Sequence, residues 1–414
     1  MRQSQVFTKI SKETPKDEES INARFLIRAA FVDKLMSGVY SFLPFGLRVQ
    51  KKIENIIREE MNKIGGQEVL LPALHPKENW EKTNRWQYPE MFKLKNRAGK
   101  DLGLGWTHEE IITPLVKKFV KSYKDLPVCV YQFQTKFRDE LRAKSGLLRG
   151  VEFLMKDLYS FHRNEADLDG YYEKAKEAYF KIFRRCGLAK ETFLTLASGG
   201  AFSKYSHEFQ TITPYGEDEI YLCPKCKIAV NKEIIGEENN QCPKCKNKKL
   251  EKNKSIEVGN IFKLKDKFSK PFDFTYTNEV GEGKTLMMGC YGIGLSRLMG
   301  AVVELCHDKK GIIWPKEISP YDVHLIQIEN SNKVKKAAEG LCDNLSKAQS
   351  EVLYDDRDDK SAGEKFAEAD LIGIPTRIVI SERTLKINCI EIKKRNKNKV
   401  RLIKIKHLLQ FLNF

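Results

Sequence analysis

The sequence predicts an α+β protein in which an antiparallel sheet flanked by helices precedes a smaller α/β domain. Three observations lead to this prediction. Segments 128–138 and 152–161 have the apolar patterns of strands and are joined by a short polar loop, so they predict an antiparallel pair. Strand and helix patterns alternate after residue 314, which is typical of parallel βαβ units. Residues 215–255 are rich in Lys, Asn, Glu and Cys, and indicate a small insertion.

The first part of the chain contains a long amphipathic helix. It is predicted over 45–64, where Ile53, Ile57 and Met61 recur at helical spacing before two glycines. A strand at 68–71 follows and ends at a proline. The other elements predicted before residue 318 are a helix at 165–186, strands at 257–264 and 284–290, and a helix at 292–305 entered through glycines.

The last part of the chain is predicted to alternate between the two types of element. Its elements are strands at 322–328, 351–354 and 376–380, and helices at 333–349 and 361–369. We therefore expect four segments with boundaries at 1–214, 215–255, 256–317 and 318–414.

Size and charge narrow the class of protein. A chain of 414 residues exceeds one ordinary domain, and 41% hydrophobic residues are enough to form cores. Lys and Arg number 73 against 56 Asp and Glu, a formal net charge of +17, which suggests a nucleic acid partner. A generally lysine-rich proteome would give the same surplus, and charge alone does not separate the two explanations.

The sequence shows no targeting or membrane segment. Its apolar runs are far shorter than the roughly 20 residues of a bilayer-spanning helix. The polar segment Met1 to Glu19 carries both charge signs and lacks the apolar centre of a signal peptide. We expect a cytoplasmic protein without a membrane partner, whose cysteines are reduced.

Four of the ten cysteines form two C-x2-C motifs. Cys223 and Cys226 make the first, and Cys242 and Cys245 make the second, fifteen residues later. Two such motifs can surround one Zn²⁺ with four thiolates, which leaves no open position for catalysis. We expect a structural zinc in a zinc-ribbon-like insertion. The alternative is that the motifs are empty remnants.

Two arginine motifs indicate phosphate chemistry. Arg138 ends the first strand of the antiparallel pair, and a guanidinium there can hold a phosphate bidentately. Phe153 on the returning strand can lie against a purine. The second motif, Gly289 to Arg297, brings a strand closely into a helix whose first turns carry Arg297. Each motif alone is better explained structurally, as an exposed hairpin or a tightly packed junction, because the glycines match neither a dinucleotide fingerprint nor a phosphate loop.

The order of these elements resembles the three signature motifs of class II aminoacyl-tRNA synthetases. The motifs would be 45–72, 137–157 and 289–297. Further segments along nearly the whole chain are similar to the bacterial-type prolyl-tRNA synthetase family: Thr107-His108-Glu109-Glu110, Glu152 to His162, Ser206-His207-Glu208-Phe209, Glu257 to Phe262, Asp355-Asp356-Arg357 and Ala369 to Pro375.

The resemblance implies a reaction in two steps. L-Proline and ATP would give prolyl-adenylate, and the prolyl group would then pass to the 3′ end of tRNA(Pro). Arg138 would hold the α-phosphate and the proline carboxylate, while Arg297 would hold the γ-phosphate and cover one adenine face, with Phe153 on the other. Arg149 would help hold the triphosphate, and Mg²⁺ would bridge its phosphates. Glu140 completes the expected catalytic set with Arg138 and Arg297, and Gly292 and Gly294 complete the ATP site.

The resemblance also assigns the proline site. Thr107 and Glu109 would receive the secondary amine of proline, because an ammonium needs a carboxylate within hydrogen-bonding reach. Asn260 would line the pocket beside Arg138. Trp106 departs from the family, since proline is expected at that position. His207 is expected near the site in a structural role.

Three further expectations concern assembly and fidelity. The resemblance implies a homodimer through motif one, and an anticodon-binding domain at 318–414 whose basic segment 393–406 contacts phosphates. Part of that segment could instead be a solvated strand face. Relatives often carry an editing domain between motifs two and three, whereas about forty residues fill that gap here, too few for a domain with its own core. We therefore expect no hydrolysis of alanyl-tRNA by the same chain.

Two other classes of function remain to be weighed. One is a synthetase-like RNA-binding or regulatory protein that has lost catalysis. Retention of Arg138, Arg297, Thr107 and Glu109 argues against it. The other is a zinc-ribbon nucleic-acid binder, but the ribbon is too small a share of the chain to define the whole protein.

Overall fold

The computed structural model describes residues 1–13, 18–141 and 143–412. The chain divides into two compact units. We call Leu35–Tyr40 with Ile53–Ala301 the central unit, and Met1–Lys34, Ser41–Lys52 and Val302–Phe414 the terminal unit. Among the described residues, no helix combines the length and the apolar character needed to cross a bilayer.

The described residues form ten α-helices. They are α1 (Ile21–Arg28), α2 (Pro44–Lys63), α3 (Lys77–Lys82), α4 (Glu109–Lys117), α5 (Glu165–Arg185), α6 (Leu295–Leu305), α7 (Asn332–Lys347), α8 (Ala362–Ile372), α9 (Glu382–Lys386) and α10 (Leu408–Leu412).

The same residues form twenty-three β-strands. They are β1 (Val32–Met36), β2 (Val39–Phe42), β3 (Gln67–Glu68), β4 (Leu74–Pro76), β5 (Lys93–Lys95), β6 (Asp101–Leu104), β7 (Val128–Phe137), β8 (Glu152–His162), β9 (Thr192–Ser198), β10 (Tyr205–Ile212), β11 (Asp218–Leu222), β12 (Ile228–Asn231), β13 (Glu251–Lys265), β14 (Thr275–Thr277), β15 (Gly283–Thr285), β16 (Met287–Gly294), β17 (His307–Asp308), β18 (Gly311–Ile312), β19 (Val323–Gln327), β20 (Val352–Asp355), β21 (Thr376–Ile380), β22 (Cys389–Lys394) and β23 (Val400–Lys404).

The central unit is built on a nine-stranded sheet in the order β10-β9-β12-β11-β13-β16-β8-β7-β3. The predicted antiparallel pair is confirmed as β7 and β8, which pair from Val128 opposite Phe161 to Phe137 opposite Glu152. β16 continues the antiparallel order on β8, and β13 continues it on β16. The side chain of Lys156 on β8 donates to the hydroxyl of Tyr179 on α5, so α5 covers one face of this sheet.

Two sequence-based expectations need correction in this unit. The helix expected from residue 292 begins at Leu295, because β16 keeps its ladder with β8 as far as Gly294 opposite Met155. The insertion is also less separate than expected. β11 pairs with β13 and β12 pairs with β9, so its strands are part of the main sheet, and β13 runs without interruption through residue 255.

The terminal unit contains a five-stranded sheet in the order β20-β19-β21-β22-β23. The predicted parallel pairs are present, because β19 runs parallel to both β20 and β21. The antiparallel strands β22 and β23 were not anticipated, and they contain much of the basic segment 393–406. The core on one side of the sheet is formed with α7, through Val334, Ala338 and Leu345.

The first residues of the chain belong to the terminal unit, which differs from the division expected from the sequence. The amino group of Met1 donates to the carbonyl of Val352 at 2.7 Å, and the backbone N–H of Asn22 donates to Glu304 at 2.9 Å. These contacts join residues more than 280 positions apart, which local patterns cannot indicate. The four functional segments expected from the sequence stay a prediction.

Gly46 provides a test of packing in the terminal unit. A Cβ at this position of α2 would lie 2.0 Å from the carbonyl oxygen of Phe31, whereas one at Gly340 of α7 would meet nothing within 4 Å. We expect Gly46→Ala to lower the free energy of unfolding by about 1–3 kcal/mol through overpacking. Gly340→Ala should raise it by about 0.5–1 kcal/mol through helix propensity. Urea unfolding measures both, and equal effects of the two substitutions would contradict this packing.

Candidate active site

Two adjoining cavities lie in the central unit. The first has a volume of 390 Å³ and the second 250 Å³. Arg138, Glu257 and Arg297 line both cavities, so two guanidinium groups and one carboxylate stand where the cavities meet. Thr107 and Asn260 line only the first cavity.

Arg138 follows the last residue of β7 and is held between aromatic rings. Its backbone N–H donates to Val151 at 2.8 Å. The guanidinium carbon lies 5.4 Å from the ring centroid of Phe153 and 5.9 Å from that of Trp106. Burial lowers the pKa of Arg138, and the positive charge of Arg297 acts in the same direction. Since arginine stays charged in proteins, this position favours an anion between the two guanidinium groups.

Arg297 lies in the first turn of α6, as expected. Its Nε donates to the carbonyl of Leu148 at 2.9 Å. Its Nη1 donates to the carbonyl of Glu257 at 3.0 Å and to the carboxylate of Glu257 at 2.9 Å. An incoming phosphate would therefore compete with Glu257 for this guanidinium.

Arg149 forms ion pairs at the second cavity. Its Nε lies 2.9 Å from Oε2 of Glu140, and its Nη1 lies 3.1 Å from Oε2 of Glu217. All three side chains line that cavity. The structure thus brings the expected phosphate-binding residues Arg138, Arg149 and Arg297 together, with Glu140 beside them. Gly292 and Gly294 line the first cavity, and because they have no side chains they take up none of its space.

Thr107 and Glu109 lie where α4 begins. The hydroxyl of Thr107 donates to Oε2 of Glu109 at 2.5 Å, and both residues are buried. The same Oε2 is 3.4 Å from Nη1 of Arg85, which also donates to Oε1 of Glu110 at 3.0 Å. Burial raises the pKa of Glu110 to about 7, and the nearby Arg85 opposes this shift. The guanidinium of Arg85 therefore forms ion pairs with two neighbouring carboxylates, those of Glu109 and Glu110.

Arg85 was not identified from the sequence. Its side chain is 2% exposed and its guanidinium carbon lies within 6.0 Å of five ring centroids. The five rings belong to Trp80, Tyr88, Trp106, Phe202 and Phe268. Because they come from separated segments, no local pattern marks the residue.

Trp106 stands between the two buried arginines. Its ring stacks on Tyr88 at 5.2 Å and on Phe202 at 6.1 Å. It also faces Arg85 at 4.9 Å. The tryptophan that replaces the expected proline is thus part of the cavity wall and of the aromatic surroundings of Arg85.

A buried polar network supports the floor of the first cavity. Nζ of Lys136 lies 2.8 Å from Oδ1 of Asp157 and 2.7 Å from Nδ1 of His108. Asp157 also accepts from Gln132 at 3.0 Å and from the hydroxyl of Tyr159 at 2.9 Å. Burial, followed by the charge of Lys136, lowers the pKa of His108 to about 2, so the imidazole is neutral and can accept from Lys136. Lys136 was also missed in the sequence, where it is one lysine of many.

The acidic side chains of Glu208 and Glu257 also line the first cavity. Glu208 accepts from Gln210 at 2.9 Å and from Asn231 at 3.1 Å. The amide nitrogen of Asn260 is 3.5 Å from Glu208, at the limit of a hydrogen bond. Burial raises the pKa of Glu208 to about 8, and the charge of Glu257 adds to the shift. His207 bonds the hydroxyl of Tyr172 at 2.8 Å, behind these residues.

The four cysteines of the insertion converge. Their sulfur atoms all lie within 4.8 Å of one another, and Sγ of Cys223 is 3.7 Å from Sγ of Cys245. Four sulfurs at about 2.3 Å from a tetrahedral Zn²⁺ would be separated by roughly 3.8 Å. The cluster therefore has the spacing and the donor set for zinc.

Comparison with known proteins first defines the class of protein. Residues 92–306 match the family described as tRNA synthetase class II core domain (G, H, P, S and T), and residues 322–413 match the anticodon binding domain. A solved prolyl-tRNA synthetase of Giardia lamblia, in complex with prolyl-adenylate, has a TM-score of 0.78 at 23% identity and covers 93% of this chain and 74% of its own. One of Cryptosporidium parvum, complexed with L-proline and AMP, has a TM-score of 0.77 at 17% identity over 95% and 74%. These two likenesses show the fold.

Sequence relatives then define the family. A proline–tRNA ligase of Wolbachia pipientis wMel is 38% identical over 99% of this chain and 99% of its own, and one of Ehrlichia chaffeensis is 39% identical over 100% and 99%. One of Geobacter sp. (strain M21) is 33% identical over 98% and 97%. The chain belongs to the proline–tRNA ligase family.

The buried pair of Lys136 and Asp157 can be tested by substitution. Lys136→Met leaves a buried carboxylate without its cation, which should cost roughly 3–5 kcal/mol of stability. The double variant Lys136→Met with Asp157→Asn removes both charges and should lose less, since the amide can still accept hydrogen bonds. Urea unfolding of both variants measures the difference. If the single variant were as stable as the double variant, the charge of Lys136 would not be compensating the buried carboxylate of Asp157.

Proposed function

We propose that this chain activates L-proline with ATP and transfers the prolyl group to tRNA(Pro). The observation that carries the proposal is the pair of guanidinium groups, Arg138 and Arg297, at the junction of two cavities. One cavity reaches a carboxylate-bearing loop suited to an amine, and the other is lined by arginine. An amino acid and a triphosphate therefore fit on either side of Arg138.

The first step joins the two substrates. A carboxylate oxygen of proline attacks the α-phosphorus of ATP. The bond between the α-phosphorus and the oxygen that bridges to the β-phosphate breaks, and pyrophosphate leaves with that oxygen. Negative charge increases on the α-phosphate during the attack, so positioning and charge stabilisation provide most of the catalysis. Arg138 would hold the proline carboxylate and the α-phosphate together, and Phe153 would cover one face of the adenine. Glu140 supports this set through its ion pair with Arg149.

The second cavity suits the triphosphate. Arg149 and Arg297 would bind its outer phosphates, and Arg297 would exchange its bond with Glu257 for a phosphate oxygen. Mg²⁺, when bound, would supply charge neutralisation to the phosphates. Glu217, Asp218 and Glu257 line this cavity and offer the oxygen ligands that Mg²⁺ prefers.

The proline amine would bind at Thr107 and Glu109. Glu109 and the partly protonated Glu110 share the single guanidinium of Arg85, which leaves an attraction for a secondary ammonium. Asn260 lines the same cavity and would limit the space around the pyrrolidine ring. In the second step, a ribose hydroxyl of the tRNA attacks the prolyl carbonyl and AMP leaves.

Further parts of the proposal concern metal, assembly and location. Cys223, Cys226, Cys242 and Cys245 would hold a structural Zn²⁺, and 318–414 would bind the anticodon. A homodimer through residues 45–72 is supported by two apolar side chains at its edge, Leu70 and Leu74, which are 75% and 54% exposed. We propose a cytoplasmic location from the expected activity.

The chain is also proposed to lack editing of alanyl-tRNA. Its alignment with the Geobacter relative is 558 positions long against 414 residues here, so at least 144 aligned positions have no counterpart in this chain. The alignment with the Wolbachia relative is only 423 positions long at full coverage. The chain thus has the length of the shorter relatives.

The proposed activity is tested by proline-dependent exchange of labelled pyrophosphate into ATP. Wild-type protein should catalyse exchange with proline, and Arg138→Ala should lower it by about 10²–10³-fold, because a charged contact to the developing oxyanion is lost. Arg163→Ala is the control, since its side chain pairs with Glu279 at the surface. Absence of exchange by folded wild-type protein would favour the non-catalytic RNA-binding alternative, and near-normal exchange by Arg138→Ala would refute its role.

The absence of editing is tested with alanine. A pocket rejects a smaller apolar ligand by only roughly 1–3 kcal/mol per missing methylene, so alanyl-tRNA(Pro) should form at a measurable rate. Purified protein given preformed alanyl-tRNA(Pro) should not hydrolyse it above the spontaneous rate. Efficient clearance of that substrate by this chain would overturn the proposal.

A further inference from the structure

The tips of the cysteine motifs carry an unusual concentration of positive charge. Six exposed lysines, which we call the knuckle lysines, lie within or next to the two motifs: Lys225, Lys227, Lys244, Lys246, Lys248 and Lys249. The segments 223–228 and 242–250 that contain them have no Asp or Glu. Among the described residues, none of the six takes part in an ion pair.

Other lysines of the same insertion do have partners. Lys252 lies 2.8 Å from Glu219, and Lys232 lies 3.6 Å from the other oxygen of that carboxylate. The insertion therefore places a carboxylate beside the lysines on its strands and leaves those at its tips without one.

A metal centre would use only part of this charge. Four thiolates and one Zn²⁺ carry a net charge of −2, whereas the knuckle lysines carry +6. Within the segments 223–228 and 242–250 a surplus of about four positive charges thus remains after the metal site is neutralised, while Glu233, Glu237 and Glu238 lie in the chain between them. Such a surplus favours a polyanionic ligand.

The two motifs hold their lysines in matching positions. Lys227 and Lys246 each follow the second cysteine of a motif, both with φ of 57°, and each donates its backbone N–H to the carbonyl of the first cysteine at 2.9 Å. The repeated Pro-Lys-Cys-Lys turn therefore presents two equivalent pairs of cations from a rigid base.

The base of the insertion is part of the cavity wall. Asp218 at the start of β11 and Ser255 on β13 both line the second cavity and are directly opposite each other in the ladder. Cys223 is five residues beyond Asp218, which corresponds to about 17 Å along a strand. On the scale of a DNA duplex, where successive phosphates of one strand are about 3.4 Å apart along the axis, this distance spans on the order of five nucleotides.

We propose that the knuckle lysines bind the phosphate backbone of the acceptor end of the tRNA, a few nucleotides from the 3′ end that reacts in the cavity. The inference rests on the proposed function, which requires a polyanion to reach this cavity. The segment 222–250 contains no aromatic residue on which a base could stack. The contacts are therefore with phosphates and supply affinity and placement, without reading sequence.

The test replaces four knuckle lysines with a neutral, polar and slightly shorter side chain. The variant Lys225→Gln, Lys227→Gln, Lys244→Gln, Lys246→Gln should raise KM for tRNA(Pro) about tenfold at low salt and leave kcat nearly unchanged. The slope of log kcat/KM against log salt should become shallower by about 0.7–0.9 for each phosphate contact that is lost. Proline-dependent pyrophosphate exchange should be unchanged, because it needs no tRNA.

The matched control removes four exposed cations on and just after α5: Lys174→Gln, Lys181→Gln, Arg184→Gln and Lys190→Gln. α5 covers the sheet face reached by Lys156, whereas the neighbouring Asp157 points to the cavity, so these cations lie across the sheet from the site. This control should leave KM for tRNA and the salt slope near the wild-type values.

Two measurements separate the possible failures. Lys248 and Lys249 lie outside the cysteine loops. The double variant Lys248→Gln, Lys249→Gln should therefore give about half of the change in salt slope, and its zinc content should be unaltered. The inference is overturned if both knuckle variants bind tRNA as the control does while pyrophosphate exchange is normal. Loss of exchange in the wild-type protein would instead remove the proposed function.

Discussion

The register of β7, β8, β16 and β13 is the constraint on which the site depends. Arg138 directly follows the end of β7, Phe153 lies on β8 next to that end, and Arg297 lies in the first turn of the helix that follows β16. A shift by one residue in any of these ladders would turn the inward side chains to the opposite face. The ion pair of Lys136 and Asp157 bridges β7 and β8 below the cavity and opposes such a shift.

Electrostatic balance explains why so many charges can be buried here. Each buried cation has a defined environment: Arg85 has two carboxylates and five rings, and Lys136 has Asp157 and His108. Arg138 differs, because its guanidinium faces aromatic rings and forms no ion pair among the described residues, although the charges of Arg297, Glu257, Glu109 and Glu140 all act on it. A cation without a direct carboxylate partner thus stands where the α-phosphate is proposed to bind, which is the arrangement expected of preorganised stabilisation.

The insertion shows how a short segment can be stabilised without a core of its own. Its strands extend the main sheet, and its tips are held by four cysteines that fit a zinc ion. Glu217 at its base bonds Arg149 at 3.1 Å and the hydroxyl of Ser145 at 3.0 Å. The insertion is thereby coupled to the wall of the second cavity, and in this chain it occupies the place where longer relatives are expected to have more chain.

The family, the antiparallel pair, the alternating C-terminal elements and the cysteine cluster were predicted from the sequence and are confirmed. They follow from local periodicity and from motifs whose residues are close in the chain. The roles of the site residues, including Glu140 and Asn260, stay predictions, and the start of α6 was misplaced because glycines also fit a strand that continues its ladder.

What the sequence by itself determined is the chemistry available: two arginine motifs, a loop that carries a threonine and two glutamates, and four thiols in a known order. The tertiary structure alone decided which charges are compensated. Arg85, Lys136 and Glu208 acquire their surroundings from segments far apart in the chain, and the effect of Trp106 depends on the rings around it. Burial and electrostatic compensation depend on distances in space, which local sequence patterns do not contain.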